Sequence, residues 1–125
     1  MPRKVSFDFD STLDRPIVQL YAQKLIALGI DVWICTSRAT NETMKNPVWN
    51  ADLFSVANRL GIPKSNIQFC EHKDKYHFFQ LDKFVWHLDD DTYELKLINK
   101  HTKTRGISVF GNSTWINKCN KLLQI

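Results

Sequence analysis

Two aspartates follow a short apolar run near the start of this 125-residue chain. Residues 5–9 predict a buried strand that ends in Asp8 and Asp10, with Thr12 two positions further on. Alternate side chains of a strand point to the same side, and open α/β sheets bind ligands at the carboxyl ends of their strands. One carboxylate beside a cation can attack phosphorus while the second moves a proton. The alternative is a strand followed by a simple turn, since Asp, Ser and Thr are common turn residues.

Three further polar clusters come after apolar runs or at the start of a helix. They are Thr36-Ser37-Arg38, Lys73-Asp74-Lys75 and Asp89-Asp90-Asp91. Each alone has a plainer interpretation, as a helix cap, an exposed lysine or an acidic turn. In a parallel sheet, however, the strand ends meet at one edge, so we expect the clusters to converge. Several carboxylates in one pocket repel one another unless a cation intervenes, and oxygen ligands suit Mg²⁺.

Strand and helix patterns alternate along the chain. Strands are predicted at 5–9, 31–35, 66–70, 84–88 and 107–110, and helices at 16–28, 50–60, 73–81, 92–101 and 113–123. The first helix is expected to bury Ile17, Leu20, Tyr21, Leu25 and Leu28. Asn50 or Asp52 is the expected cap of the second helix, and Ser113 that of the last. This order predicts one α/β domain over residues 1–125, a Rossmann-like three-layer sandwich with a mostly parallel five-stranded sheet.

Composition excludes several classes of protein. No apolar run approaches the length needed to cross a bilayer, and the N-terminus leads straight into the first strand without room for a signal peptide. Cys35, Cys70 and Cys119 are odd in number and far apart, which predicts buried free thiols in a reducing, cytoplasmic compartment. The net charge of +4 is compatible with an anionic substrate. The four histidines lack zinc-ligand spacing, and only His72 is expected near the rim of the site.

The polar clusters together resemble a known family. Asp8-Phe9-Asp10-Ser11-Thr12 matches the DxDxT signature of the haloacid dehalogenase-like phosphohydrolases. Ile34-Cys35-Thr36-Ser37 is similar to the second motif of the 5′(3′)-deoxyribonucleotidases, Lys75 resembles the lysine of the third motif, and Leu88-Asp89-Asp90 resembles the fourth. The resemblance extends from Val5 to about Phe110, in the order of the family's motifs.

The resemblance implies a role for each matching residue. Asp8 would be the nucleophile that forms an aspartyl-phosphate, and Asp10 would protonate the leaving group and then activate water. Thr36 would bind the phosphoryl oxygens, and Lys75 would neutralise the nucleophile and the transferring group. Lys73 is the alternative to Lys75, because the register of this stretch is uncertain from the sequence. Ser37 and Arg38 are the other expected substrate-binding residues.

The resemblance also implies a magnesium site. Asp8, the backbone carbonyl of Asp10 and an aspartate of the fourth motif would bind Mg²⁺. Asp90 is favoured as the direct ligand, and Asp89 would either share the metal or orient Lys75.

The chain leaves no room for the cap domain that large members of the family carry. An uncapped site needs its substrate or a neighbouring subunit to exclude water, so a homo-oligomer is a fair expectation. Residues 39–49 form the longest expected loop and the only insert that could shape specificity. At its root, Arg38 could bind a second phosphate or a carboxylate. Trp49 could stack on a base or pack on the core.

We therefore expect a Mg²⁺-dependent phosphomonoester hydrolase, with nucleotides or nucleic-acid phosphate ends as the favoured substrates. Sugar phosphates, phosphoproteins and transfer to an acceptor other than water stay open. The alternative is a non-catalytic module that docks a partner through a basic surface. That surface, which could equally be a solvated face, comprises Lys96, Lys100, Lys103, Arg105, Lys118 and Lys121.

Overall fold

Five strands form one sheet in which every pairing is parallel. The structure, a computed structural model, describes residues 3–111 and 114–125. The strands are β1 (Lys4–Phe7), β2 (Asp31–Thr36), β3 (Ile67–Phe69), β4 (Trp86–Asp89) and β5 (Arg105–Ser108). Their order across the sheet is β3-β2-β1-β4-β5. The order in which the chain adds strands therefore reverses at β1, and the expected Rossmann-like α/β architecture is confirmed.

Among the described residues, six α-helices connect and cover the strands. They are α1 (Pro16–Ala27), α2 (Asn41–Met44), α3 (Ala51–Leu60), α4 (Tyr76–Leu81), α5 (Thr92–His101) and α6 (Thr114–Leu123). The expected cap Ser113 lies outside the described residues. Within the described ranges, no helix combines the length and apolarity that a bilayer span needs.

The alternation of side chains along β1 divides the core into two layers. Val5 and Phe7 face a layer that also contains buried residues of α1, α3 and α6. Ser6 points to the opposite face, where its hydroxyl contacts His87 and where α4 and α5 supply Phe79 and Ile98. Both faces of the sheet are covered, as a parallel sheet requires.

The buried face of α1 differs from the expected one. Ile17, Leu20 and Leu28 are exposed, while Tyr21 and Leu25 are buried as expected. The buried stripe also contains Val18 and Ala22, which complete the i, i+3, i+4, i+7 spacing of a helix face. The sequence has apolar residues on more than one side of this helix, so the pattern alone did not decide which side packs.

Several element boundaries also differ from the prediction. β1 ends at Phe7, because the backbone leaves the strand at Asp8 and forms an irregular helical turn, Phe9–Leu13. The segment 39–49 contains the short helix α2. β5 begins and ends two residues earlier than predicted.

A glycine lets α5 lie directly on the edge strand. A Cβ atom at Gly106 in β5 would lie 2.9 Å from Leu95 Cδ2 and 3.2 Å from the Leu95 carbonyl oxygen. The first distance is shorter than van der Waals contact allows, so the close packing of helix on strand depends on the missing side chain.

Candidate active site

Asp8 begins the tight turn after β1. Its backbone N–H donates to the Leu88 carbonyl (2.8 Å), and its own carbonyl accepts from the Leu13 N–H (3.1 Å). The turn closes through Ser11, whose φ of 60° lies in the left-handed region. The Thr12 hydroxyl donates to Asp8 Oδ2 (3.3 Å), so Thr12 orients the carboxylate as well as shaping the turn.

Lys75 binds two buried carboxylates. Its Nζ lies 2.8 Å from Asp8 Oδ1 and 2.6 Å from Asp89 Oδ2, and its side chain is 3% exposed. The Lys75 backbone N–H donates to Glu94 Oε2 (3.0 Å), which ties the start of α4 to the first turn of α5. Although burial disfavours the ammonium charge, the two carboxylates raise the pKa of Lys75 above its usual value. The structure thus brings Lys75 into the cluster, while Lys73 is exposed at the rim of the same cavity.

A buried chain of hydrogen bonds through His87 and Ser6 also holds Asp89. His87 Nε2 lies 2.7 Å from Asp89 Oδ2, and His87 Nδ1 lies 2.9 Å from Ser6 Oγ. Burial lowers the pKa of His87, which keeps the ring neutral near pH 7. Although burial opposes its ionisation, contacts with His87 and Lys75 hold the pKa of Asp89 well below its usual range. Asp89 is therefore a fixed anion that orients Lys75.

Three carboxylates converge beside Lys75. Asp8, Asp89 and Asp90 each offer an oxygen, and the three atoms lie within 4.8 Å of one another. Burial, opposed by Lys75 and reinforced by Asp89, raises the pKa of Asp8 to about 9. Burial likewise raises the pKa of Asp90. One ammonium does not neutralise three carboxylates, so the oxygen-rich donor set fits a hard divalent cation such as Mg²⁺.

Arg38 is fully occupied by protein partners. Its Nε and Nη2 bind Asp10 (3.0 and 2.7 Å), and its Nη1 and Nη2 bind Asp52 (2.8 and 2.9 Å). Nη1 also donates to Asn50 Oδ1 (3.3 Å), so all five guanidinium N–H groups are used. In this conformation Arg38 binds two carboxylates of the protein itself, those of Asp10 and Asp52, so its expected role toward a phosphate or carboxylate of the substrate stays a prediction.

Asp10 lies in the turn rather than on the strand. Its side chain is 55% exposed and held by Arg38, yet it lines the same cavity as Asp8. Among the described residues its carboxylate is not one of the three that converge, so any metal contact of Asp10 would come from its backbone.

The residues after β2 divide between the cavity and the core. Thr36 is fully buried and does not line the cavity, and its Oγ1 accepts the Arg38 backbone N–H (3.2 Å). Ser37 lines the cavity, which measures about 220 Å³. Of these two hydroxyls, Ser37 is the one that the cavity exposes to a bound group.

Sequence reasoning missed three residues of the site. His87 was considered only as a possible zinc ligand, although strand alternation places it on the same side as Asp89. Glu94 was not singled out at all, and Asp52 was considered only as a cap. Asp91, in contrast, is the N-cap of α5 that the acidic-turn interpretation allowed, since its Oδ1 accepts the Tyr93 N–H (3.0 Å).

Two of the three thiols, those of Cys35 and Cys70, lie near Lys75. Cys35, Cys70 and Cys119 are free and buried, as predicted. Cys35 Sγ and Cys70 Sγ are 3.5 Å apart beneath the ends of β2 and β3.

A second cavity, of about 500 Å³, adjoins the first. It is lined by Val48, Trp49, Ala51, Arg38, Asp52 and His72. Trp49 is 46% exposed, so the expectation that it packs on the core is wrong. His72 lines both cavities, which confirms its expected place at the rim.

Comparisons with known proteins identify the fold alone. No family model matches the chain, and no curated protein matches it. Among solved structures, it is similar to the crystal structure of a hypothetical protein, XCC2798 from Xanthomonas campestris, with a TM-score of 0.54 and 17% sequence identity. The match covers 94% of this chain and 69% of the other. At that identity, the chain shares with XCC2798 a parallel α/β fold.

Proposed function

We propose that this protein is a Mg²⁺-dependent phosphomonoester hydrolase in which Asp8 is the nucleophile. The observation that carries the proposal is the contact of one buried lysine, Lys75, with both Asp8 and Asp89 at the carboxyl edge of a parallel sheet. A lysine that spans two carboxylates cancels part of the repulsion that an incoming phosphate would meet. The resemblance of the four motifs to the haloacid dehalogenase-like phosphohydrolases supports the same chemistry.

The reaction proceeds in two displacements. An Asp8 carboxylate oxygen attacks phosphorus, the bond from phosphorus to the leaving oxygen breaks, and Asp10 gives its proton to that oxygen. Water then attacks phosphorus, Asp10 takes its proton, and inorganic phosphate leaves Asp8 as a carboxylate. Lys75 donates to the anionic groups in both steps, and Ser37 donates to a phosphoryl oxygen.

Asp8, Asp89 and Asp90 are the side chains that would hold Mg²⁺, with Asp90 favoured as the direct ligand beside Asp8. When bound, the cation supplies positive charge that offsets the phosphoryl oxygens and favours ionised Asp8. Asp89 keeps Lys75 in place in either case, whether Asp90 or Asp89 itself contacts the metal.

The docking alternative has one observation in its favour. Lys100 and Lys103, two of the six expected basic residues, line a groove of about 820 Å³ together with Lys83 and His101. The groove lies beside α4, and its lining shares no residue with the cavity around Asp8. Asp8→Asn would leave such docking intact, whereas Lys100→Glu would weaken it.

The proposal is tested by phosphate release with Mg²⁺ and with EDTA. Suitable substrates are an aryl phosphate, acetyl phosphate, and nucleotides and oligonucleotides with 3′ or 5′ phosphates. We expect Mg²⁺-dependent release that Asp8→Asn abolishes. Asp82→Asn is the matched control, because Asp82 is a half-buried aspartate paired with Lys4 away from the site. Equal release by wild type and Asp8→Asn would overturn the assignment of the nucleophile.

A further inference from the structure

The cavity beside the phosphate site has an apolar wall and a polar wall. Val48 and Trp49 are 67% and 46% exposed and form the apolar wall. Arg38, Asp52 and His72 form the other side. Its volume of about 500 Å³ lies within the range of roughly 300–1,000 Å³ that is usual for small-molecule sites.

Hydrogen bonds hold Trp49 in this exposed position. The backbone N–H of Trp49 donates to the Asn46 carbonyl (3.3 Å). The next residue, Asn50, is buried and fixed to Ala39 and Asn41 by side-chain hydrogen bonds of 3.0 and 2.9 Å. The backbone of the segment is therefore fixed on both sides of Trp49, and the indole that it carries is 46% exposed, so it offers a ring surface to a ligand.

The polar lining is also held in place at His72. Glu71 and His72 both have positive φ, 54° and 64°, a conformation that non-glycine residues rarely adopt unless the surrounding structure imposes it. Their backbone N–H groups donate to the carbonyls of Arg38 (3.2 Å) and Ser37 (2.7 Å). These bonds hold His72 on the rim between the two cavities, where its ring lines both.

We propose that the Val48–Trp49 wall stacks the planar base of a nucleotide whose phosphate occupies the cavity around Asp8. Asp10 lines the cavity around Asp8 and its ion-pair partner Arg38 lines the second cavity, so a ligand that occupies both passes this pair and needs a spacer between its ring and its phosphate. A nucleotide has such a spacer in its sugar. An aryl phosphate such as phosphotyrosine carries its phosphate directly on the ring, and is disfavoured for that reason. The proposal rests on the proposed phosphatase function for the position of the phosphate.

The test compares the nucleotide with a ligand that lacks the ring. kcat/KM is measured for thymidine and adenosine 3′- and 5′-monophosphates, for ribose 5-phosphate and for phosphotyrosine, in wild type and in Trp49→Leu. Stacking of one base supports a preference of about 5- to 150-fold. We therefore expect Trp49→Leu to reduce the ratio of kcat/KM for the nucleotide to kcat/KM for ribose 5-phosphate by a factor in that range. Trp49→Phe should restore much of this ratio. Tyr93→Leu is the control, since Tyr93 is 59% exposed and lines neither cavity. It should leave the ratio unchanged.

Binding provides a second readout that does not need turnover. The base should quench the fluorescence of Trp49, and Trp49→Leu should remove the quenching. Hydrolysis of ribose 5-phosphate with a ratio unaffected by Trp49→Leu would overturn the base site and leave the phosphatase function standing. Quenching without hydrolysis would retain the base site and overturn the phosphatase function. A preference for phosphotyrosine over nucleotides, or no quenching by any nucleotide, would overturn the base site.

Discussion

Replacement of Lys75 by Met should destabilise the protein more than any change at a neighbouring lysine. The ammonium is buried and shared by Asp8 and Asp89 at 2.8 and 2.6 Å, so its removal leaves two carboxylates facing each other. Removal of one partner from a buried ion pair typically costs about 3–5 kcal/mol. Asp8 relieves part of this cost by keeping its proton, because its pKa is raised to about 9 even with the lysine present. We therefore expect Lys75→Met to lower the free energy of unfolding by an amount near the lower end of that range, about 3 kcal/mol at pH 7.

Urea unfolding in EDTA measures this loss. With a slope of about 1–3 kcal/mol per molar urea, a loss of ~3 kcal/mol lowers the midpoint by roughly 1–3 M. Lys73→Met is the matched control, because Lys73 is exposed two residues away, and its change should stay within about 0.5 kcal/mol. If the midpoint of Lys75→Met coincides with that of Lys73→Met, the carboxylates do not depend on Lys75 and the reasoning about the site fails.

Three further outcomes follow from the same contacts. The folded pKa of Asp8, about 9, exceeds its ordinary value of 3.8, so the metal-free protein should lose stability as pH rises from about 4 to 9. Urea midpoints at pH 5, 7 and 9 check this. The decline should be smaller in Asp8→Asn, where only groups such as Asp90 still contribute, and an equally steep decline in that variant would contradict the role of Asp8. Mg²⁺ binding near pH 7 should release about one proton, which calorimetry in buffers of different ionisation enthalpy detects; heat independent of the buffer would count against Asp8 as a ligand. Arg38→Gln should lower the free energy of unfolding by about 1 kcal/mol, and it should lower kcat at least tenfold because Asp10 loses its orientation. The control Arg59→Gln, at an exposed arginine, should change neither quantity. An unchanged kcat in Arg38→Gln would show that Arg38 does not position Asp10.

The order of strands and helices in the sheet was predictable because it depends on short segments of the sequence. Apolar runs separated by helix stops such as Gly29 and Gly61 determine the order of strands and helices, and parallel pairing then follows from the crossover rules. The convergence of Asp8, Lys75 and Asp89 was predictable for the same reason, since each lies at the end of a strand or the start of a helix.

The partners of Arg38 were not predictable, because they depend on how α3 docks. Asp52 is fourteen residues away along the chain, and its ion pair with Arg38 forms only when the first turn of α3 packs beside the turn after β1. The environment of Trp49 depends on the same docking. The face that α1 buries was ambiguous because its apolar residues surround much of the helix, and packing against β2 selects the stripe that contains Ala22.

The absent side chain at Gly106 links the edge of the sheet to the chemistry. Helix α5 lies on β5 through Leu95, and the residue before it, Glu94, accepts the backbone N–H of Lys75. A methyl group at Gly106 would meet the end of the Leu95 side chain at 2.9 Å, and that flexible end can turn aside. The Leu95 backbone, at 3.2 Å, would have to yield by a few tenths of an ångström, and Glu94 would move with it. Gly106 is therefore coupled to the site through the backbone of α5, although it does not line the cavity.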